Sequence, residues 1–194
     1  DDSNAGDEYT PTAVGSNRNT GKLATAPKPN PINLLRTYEL AGGSTLNVDS
    51  GSYPLIYTAT FTAKSGYELG AERGFVLRGP TNSSKTAEFV TAIPGRTDQS
   101  LLFLDDADRM QFQNLTLTGG DHALYATGGS TELTLDTLTI RNGAGHGILL
   151  DGGSGFTLFK NVTTVGHGGS SDGIYISGGA GVDILKVVSY DNRY

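Results

Sequence analysis

Apolar and polar residues alternate in short runs through most of this chain, and glycine, asparagine, aspartate and serine separate the runs. From Thr45 onward "TLNV", "LIYTATFTA", "GFVLRG", "AEFVTAI" and "SLLFLD" each carry the two-residue period of a half-buried strand. Only "PINLLRTYEL" reads as a helix, with Ile32, Leu35 and Leu40 on one face and Pro31 suited to the first turn. Residues 1–31 are polar, rich in proline toward their end and without apolar periodicity, which predicts an irregular or linker segment.

After Ser100 the alternation becomes a repeat. Leu102, Leu124, Ile148 and Ile174 form one column and Leu104, Ala126, Leu150 and Ile176 another, in steps of 22, 24 and 26 residues. A second strand recurs as "FQNLTLT", "LDTLTIR", "FKNVTTV" and "KVVSYD". Its predicted core columns are Leu115, Leu138, Val162 and Val188, then Leu117, Ile140, Thr164 and Tyr190. Thr116, Thr139, Thr163 and Ser189 lie between them. Two or three short strands in a unit of about 24 residues, with small residues at the corners, describe a solenoid coil. Equivalent strands of successive coils then stack in parallel about 4.8 Å apart, and the span from Thr45 to Tyr194 holds about six coils, a rod on the order of 30 Å long.

On these coil repeats, together with "INLLRTYELAGGSTLNVDSGSYPL", the chain resembles the right-handed parallel β-helix proteins of the pectate-lyase-like superfamily over nearly its whole length. The resemblance implies an all-β fold, a right-handed parallel β-helix (solenoid) with an N-terminal capping helix. Residues 1–41 would be extension and cap, and residues 42–194 the coils. Lyases, hydrolases, epimerases, esterases, phage tailspikes and non-catalytic adhesins all use this fold, so it fixes no reaction. Because "VVSYDNRY" still follows the coil pattern, the chain is expected to be the front of a longer protein, or to bury its uncapped last coil by self-association.

Composition narrows the partners. With 14 basic against 20 acidic residues, a net charge of -6 and no run of like charge, neither nucleic acid nor an anionic membrane is expected to bind. No stretch approaches the roughly 18 apolar residues of a membrane span. The absence of cysteine excludes disulfides and thiolate metal sites. An acidic, cysteine-free chain rich in Gly, Ser and Thr is compatible with a secreted bacterial protein. A start at Asp1 without Met would follow removal of an export signal. The expected location is secreted or at the cell surface.

The chemistry concentrates on one strand column. Phe103, Tyr125, Leu149 and Tyr175 are predicted to face outward, flanked by Asp105, Thr127, Asp151 and Ser177. Rings beside hydroxyls and carboxylates suit a carbohydrate platform, while stacked like side chains also simply stabilise a sheet. His122, His146 and Asp172 are expected one above another at the preceding corner, beside Asp121 and Ser171. They fit an acid–base cluster, a His/Asp metal site or plain corner chemistry. The candidate substrate-binding residues are therefore Phe103, Tyr125, Tyr175, Asp151, His122, His146 and Asp172, with no catalytic residue assigned and no metal site expected.

Other signals carry less. Lys160 and Lys186 are expected to share a column with Asp136 and Gln113. Lyases of the superfamily use a Lys or Arg base with Ca²⁺ held by acidic residues, but no acidic trio converges beside this column. "DDADR", 105–109, has oxygen ligands of the kind Ca²⁺ takes but lacks EF-hand spacing and reads as a polar turn. No cofactor is expected, Ca²⁺ being the one ion such a turn would suit. "GSSDG" lacks the strand and helix of a nucleophile elbow and "GAGHG" lacks a βαβ unit. Asn114 and Asn161, within the sequons "NLT" and "NVT", sit at equivalent positions and predict a bend, leaving Asn82 as the reasonable glycan acceptor. The functional expectation is an extracellular carbohydrate-recognising module, the front part of a polysaccharide lyase, hydrolase or epimerase. The alternative is a non-catalytic structural or adhesive surface segment.

Overall fold

A computed structural model describes residues 7–38, 42–62, 74–93, 98–179 and 181–193. Helix α1 (Pro31–Thr37) precedes strands β1 (Thr45–Asn47), β2 (Gly51–Leu55), β3 (Ala59–Thr62), β4 (Val76–Arg78), β5 (Ala87–Thr91), β6 (Leu102–Asp105) and β7 (Gln111–Thr118). β8 (Leu124–Thr127), β9 (Thr134–Arg141), β10 (Ile148–Leu150), β11 (Leu158–Val165), β12 (Ile174–Ile176), β13 (Asp183–Ile184) and β14 (Val187–Tyr190) follow. One sheet runs β1-β4-β7-β9-β11-β13, with β2 and β5 joining through β7 and β14 pairing β11. The other runs β12-β10-β8-β6-β3. Every ladder is parallel, and each strand pairs with its counterpart one coil away. This is a parallel β-helix, and six levels in the larger sheet agree with the expected six coils.

Corners are made by residues in the left-handed region. β7, β9 and β11 each turn a corner midway, at Asn114, Thr137 and Asn161, with φ of 54°, 57° and 54°. Asparagine tolerates that conformation well because its short polar side chain bonds locally, so the expected asparagine bend is present and Thr137 shares it. A second such column, Gly119, Asn142, Gly166 and Asp191, ends the large-sheet strands and turns the chain toward the smaller sheet.

Inward residues fill the lumen. Phe61, Phe75, Phe89, Phe112 and Tyr53 are buried in the first coils, and Phe61 lies 6.0 Å from Phe75 and 5.8 Å from Phe112 between ring centroids. Leu124, Ile148, Leu117 and Ile140 continue the core. Toward the last coil hydroxyls replace hydrocarbon: Thr164 is buried and its Oγ1 donates to Ser189 Oγ at 2.9 Å.

Two expectations are corrected. Residues 7–30 are irregular, as expected, but they are no free linker and dock on the first coils. The buried Asp49 carboxylate accepts from Tyr9 N at 2.8 Å and Thr10 Oγ1 at 2.7 Å. Tyr9 Oη donates to Gly79 O at 2.9 Å, and Glu8 accepts from Thr81 and Asn82. The chain then enters α1, capped by Asn30, whose Oδ1 accepts from Ile32 N at 2.9 Å. Pro31 and Leu34 make the buried face with Ile32, Leu35 and Tyr38 partly buried, while Leu40 lies outside the described residues.

The second correction is one of register. Val187, and not Val188, pairs with Val162, which puts Val188 opposite Thr163, Ser189 opposite Thr164 and Tyr190 opposite Val165. Leu158 pairs with Asp183 and Phe159 with Ile184, so Lys186 leaves the Lys160 column and Leu185 takes that place. The corner between β12 and β13 is one residue shorter than the corner between β10 and β11. A one-residue change in register turns every side chain to the other face.

Candidate functional site

The smaller sheet has the predicted register throughout. Leu102, Leu124, Ile148 and Ile174 align, and so do Phe103, Tyr125, Leu149 and Tyr175. Strand alternation turns the second set outward, because the first set is drawn into the lumen. Extending the pairing two residues back places His122, His146 and Asp172 in one corner column, with Gly147 N donating to Asp172 O at 3.1 Å.

Leu149 interrupts the outward column of rings, and the corner histidines bridge the gap. Phe103 lies 5.3 Å from Tyr125, and His122 meets the Tyr125 ring edge-on at 5.6 Å. His122 stacks on His146 at 5.5 Å and His146 on Tyr175 at 4.7 Å, each pair within 11° of parallel. Five rings thus form one continuous path across four coils. The sequence placed the two columns side by side; their union into one surface comes from side-chain geometry.

Carboxylates accompany the path. Asp121 Oδ2 is 3.5 Å from His122 Nε2, and Asp172 Oδ2 is 3.7 Å from His146 Nδ1. His146 Nδ1 accepts from the Asp172 backbone N–H at 2.9 Å, which leaves its Nε2 to carry the proton of the neutral ring. Burial of His122 pulls its pKa below the ordinary value, and Asp121 opposes without reversing that. Its Nδ1 is buried and lacks a well-formed hydrogen bond. Gly145 makes room for this pair, since a Cβ there would stand 2.6 Å from Asp121 Oδ1 and 2.9 Å from His122 Cε1.

A cavity of about 350 Å³ opens at the Phe103 end of the path, lined by Phe103, Tyr125, His122, Asp121, Asp98 and Gln99, with Thr58 and Thr60 of the first coil. Asp98, Gln99, Thr58 and Thr60 were absent from the predicted set. Gln99 occupies the Asp121 position one coil earlier, a signal present in the alignment of "SLLFLDDADR" with "HALYATGGST". Asp151 stands apart at the far end of β10, where its Oδ1 accepts from Gly152 N at 2.7 Å.

His167, outside the expected set of site residues, is fully buried behind the corner. A Cβ on Gly143 would come 2.8 Å from its Nδ1 and one on Gly147 2.6 Å from its Nε2. Burial lowers its pKa, with weak help to the charged form from the Ile140 and Gly145 backbones. Lys160 Nζ donates to Asp136 Oδ2 at 2.8 Å on the other sheet. Among the described residues no group of three or more His, Asp or Glu is placed to hold a metal ion. None of their helices is long and apolar enough to cross a membrane.

No family model matches the chain, and no curated protein matches it. Among solved structures, the crystal structure of pectate lyase Pel9A superposes with a TM-score of 0.71 at 16% identity. This chain has that enzyme's parallel β-helix fold. The match covers 92% of this chain and 46% of that one, so this chain spans less than half of Pel9A. At such low identity the likeness carries architecture and no residue roles.

Proposed function

We propose that the chain is a carbohydrate-recognising β-helix segment of an extracellular protein, the front part of a polysaccharide-processing enzyme. The observation that carries this reading is the continuous ring path from Phe103 to Tyr175. Ring faces pack on the apolar faces of sugars, and adjoining polar groups take the hydroxyls. Adjacent coils repeat about every 4.8 Å, which offers successive sugars of a chain successive rings. The Pel9A fold supports a polysaccharide as the ligand class.

Affinity electrophoresis in gels containing acidic, neutral and basic polysaccharides tests this. At least one should retard the protein, and Tyr125→Ala and Tyr175→Ala should each weaken that retardation about fivefold or more, on the order of 1 kcal/mol. Tyr190→Ala, altering a ring on the other sheet, should leave it unchanged. Absence of retardation across the panel overturns the reading. Binding is expected to need no metal, so EDTA should not alter the mobility shift.

The structural or adhesive alternative has one observation in its favour. Ile176, Ile184 and Tyr190 of the last coil are exposed apolar side chains, a surface suited to self-association.

A further inference from the structure

We infer that the ring path selects glycans bearing protonated amines, such as polymers of unacetylated amino sugars, over polyuronates. This deepens the carbohydrate reading above and rests on it.

Carboxylates bracket the rings on both sides. Asp121 and Asp172 stand at the corner before the ring-bearing strands. Asp105 and Asp151 follow the outward ring positions, two residues beyond Phe103 and Leu149 in the same register. Burial disfavours a positive charge on His122 between them, and His146 Nδ1 is occupied as an acceptor by the Asp172 backbone N–H. The acids are also within reach of a ligand: Asp121 and Asp172 side chains remain 38% and 37% exposed.

An ammonium group fits this arrangement in two ways. It is attracted to the face of a tyrosine ring by the ring quadrupole, and to a neighbouring carboxylate by a charge-assisted hydrogen bond. Each of the four coils carries at least one ring or imidazole and one of these carboxylates, Asp105, Asp121, Asp151 and Asp172 in turn, so an amine on each sugar would find both partners. A uronate would instead bring its own carboxylate against charges of the same sign, a repulsion that only a bridging cation would relieve.

Isothermal titration calorimetry at about pH 6, where carboxylates are ionised, would compare oligomers of glucosamine, N-acetylglucosamine and galacturonic acid. The uronate is run with Ca²⁺ and with a chelator. The glucosamine oligomer should bind about tenfold more tightly than either other ligand, and the margin should shrink as salt is raised. Asp121→Asn and Asp172→Asn should reduce that affinity several-fold and leave the N-acetylated oligomer unaffected, with folding checked by circular dichroism. Tyr125→Ala, which keeps every carboxylate, should also lose affinity; undiminished binding would mark mere adsorption to an acidic protein and overturn the inference. Equal or tighter binding of the uronate under either condition, or of the N-acetylated oligomer, overturns charge selection and leaves the carbohydrate reading standing. No binding by any of the three overturns both.

Discussion

Asp121 and His122 can stand side by side under the next coil because position 145 has no side chain. A methyl group at that point would have to displace backbone as well as the ring, since the Asp121 carbonyl lies only 2.9 Å from where the Cβ would be. Gly145→Ala should therefore lower stability by about 1–3 kcal/mol and weaken glycan binding together, read by thermal unfolding and by gel mobility. His167 presents a different residue-scale effect. Its folded pKa lies below the ordinary 6.5 through burial, so the unfolded chain takes up a proton first as pH falls. Stability from this group is complete above that ordinary value and is lost as pH falls toward the lower folded one. His122, also lowered by burial, adds with the same sign, and the nearby His146 disfavours charge on both. Urea midpoints should decline from about pH 6.5 downward, and His167→Leu should flatten that decline. An unchanged slope would remove His167 as its source.

At the scale of elements, corner length governs which face a strand presents. The ring-bearing strands step by 22, 24 and 26 residues, yet their register was legible because each unit repeats the same in–out alternation. The final large-sheet strand departs from the expected register because "KVVSYD" has three consecutive positions, Val187, Val188 and Ser189, that suit either face. Only the β12–β13 corner, one residue shorter than its predecessor, decides between them. Coils are also braced across their stacking direction. Arg141 Nη2 donates to Glu88 Oε1 at 2.7 Å and its Nε to Thr118 Oγ1 at 3.0 Å, joining three coils. Burial alone would raise the Glu88 pKa, but its hydrogen bonds to Arg141 and Thr118 together outweigh that and lower it. This contribution is present at neutral pH and is lost as pH falls through the lowered value. Because Arg141 is 43% exposed, solvent screens the pair, and Glu88→Gln should cost only about 0.5–1 kcal/mol in chemical denaturation at neutral pH.

For the whole molecule, stacking gives each interior coil two neighbours, and the last described coil has one. Ile148 and Leu150 are fully buried, whereas their counterparts Ile174 and Ile176 are not, and Ile184 is 61% exposed. If this end mediates self-association, sedimentation velocity should show a concentration-dependent rise in mass that Ile184→Asp abolishes; a monomer at every concentration argues against it. The sequence by itself determined the coil: period-two alternation, glycine and asparagine corners, and the columns that place rings and histidines on one sheet. These are local properties, since a strand's alternation and a corner's backbone preference act within a few residues. Tertiary structure decided what depends on distance between coils. It docked residues 7–30 through the buried Asp49, set the last register, buried His167, and let His122 and His146 carry the ring path past Leu149 to Tyr175. Contacts of that kind depend on side-chain directions and on which coil lies above which, and neither is written in the order of residues along one strand.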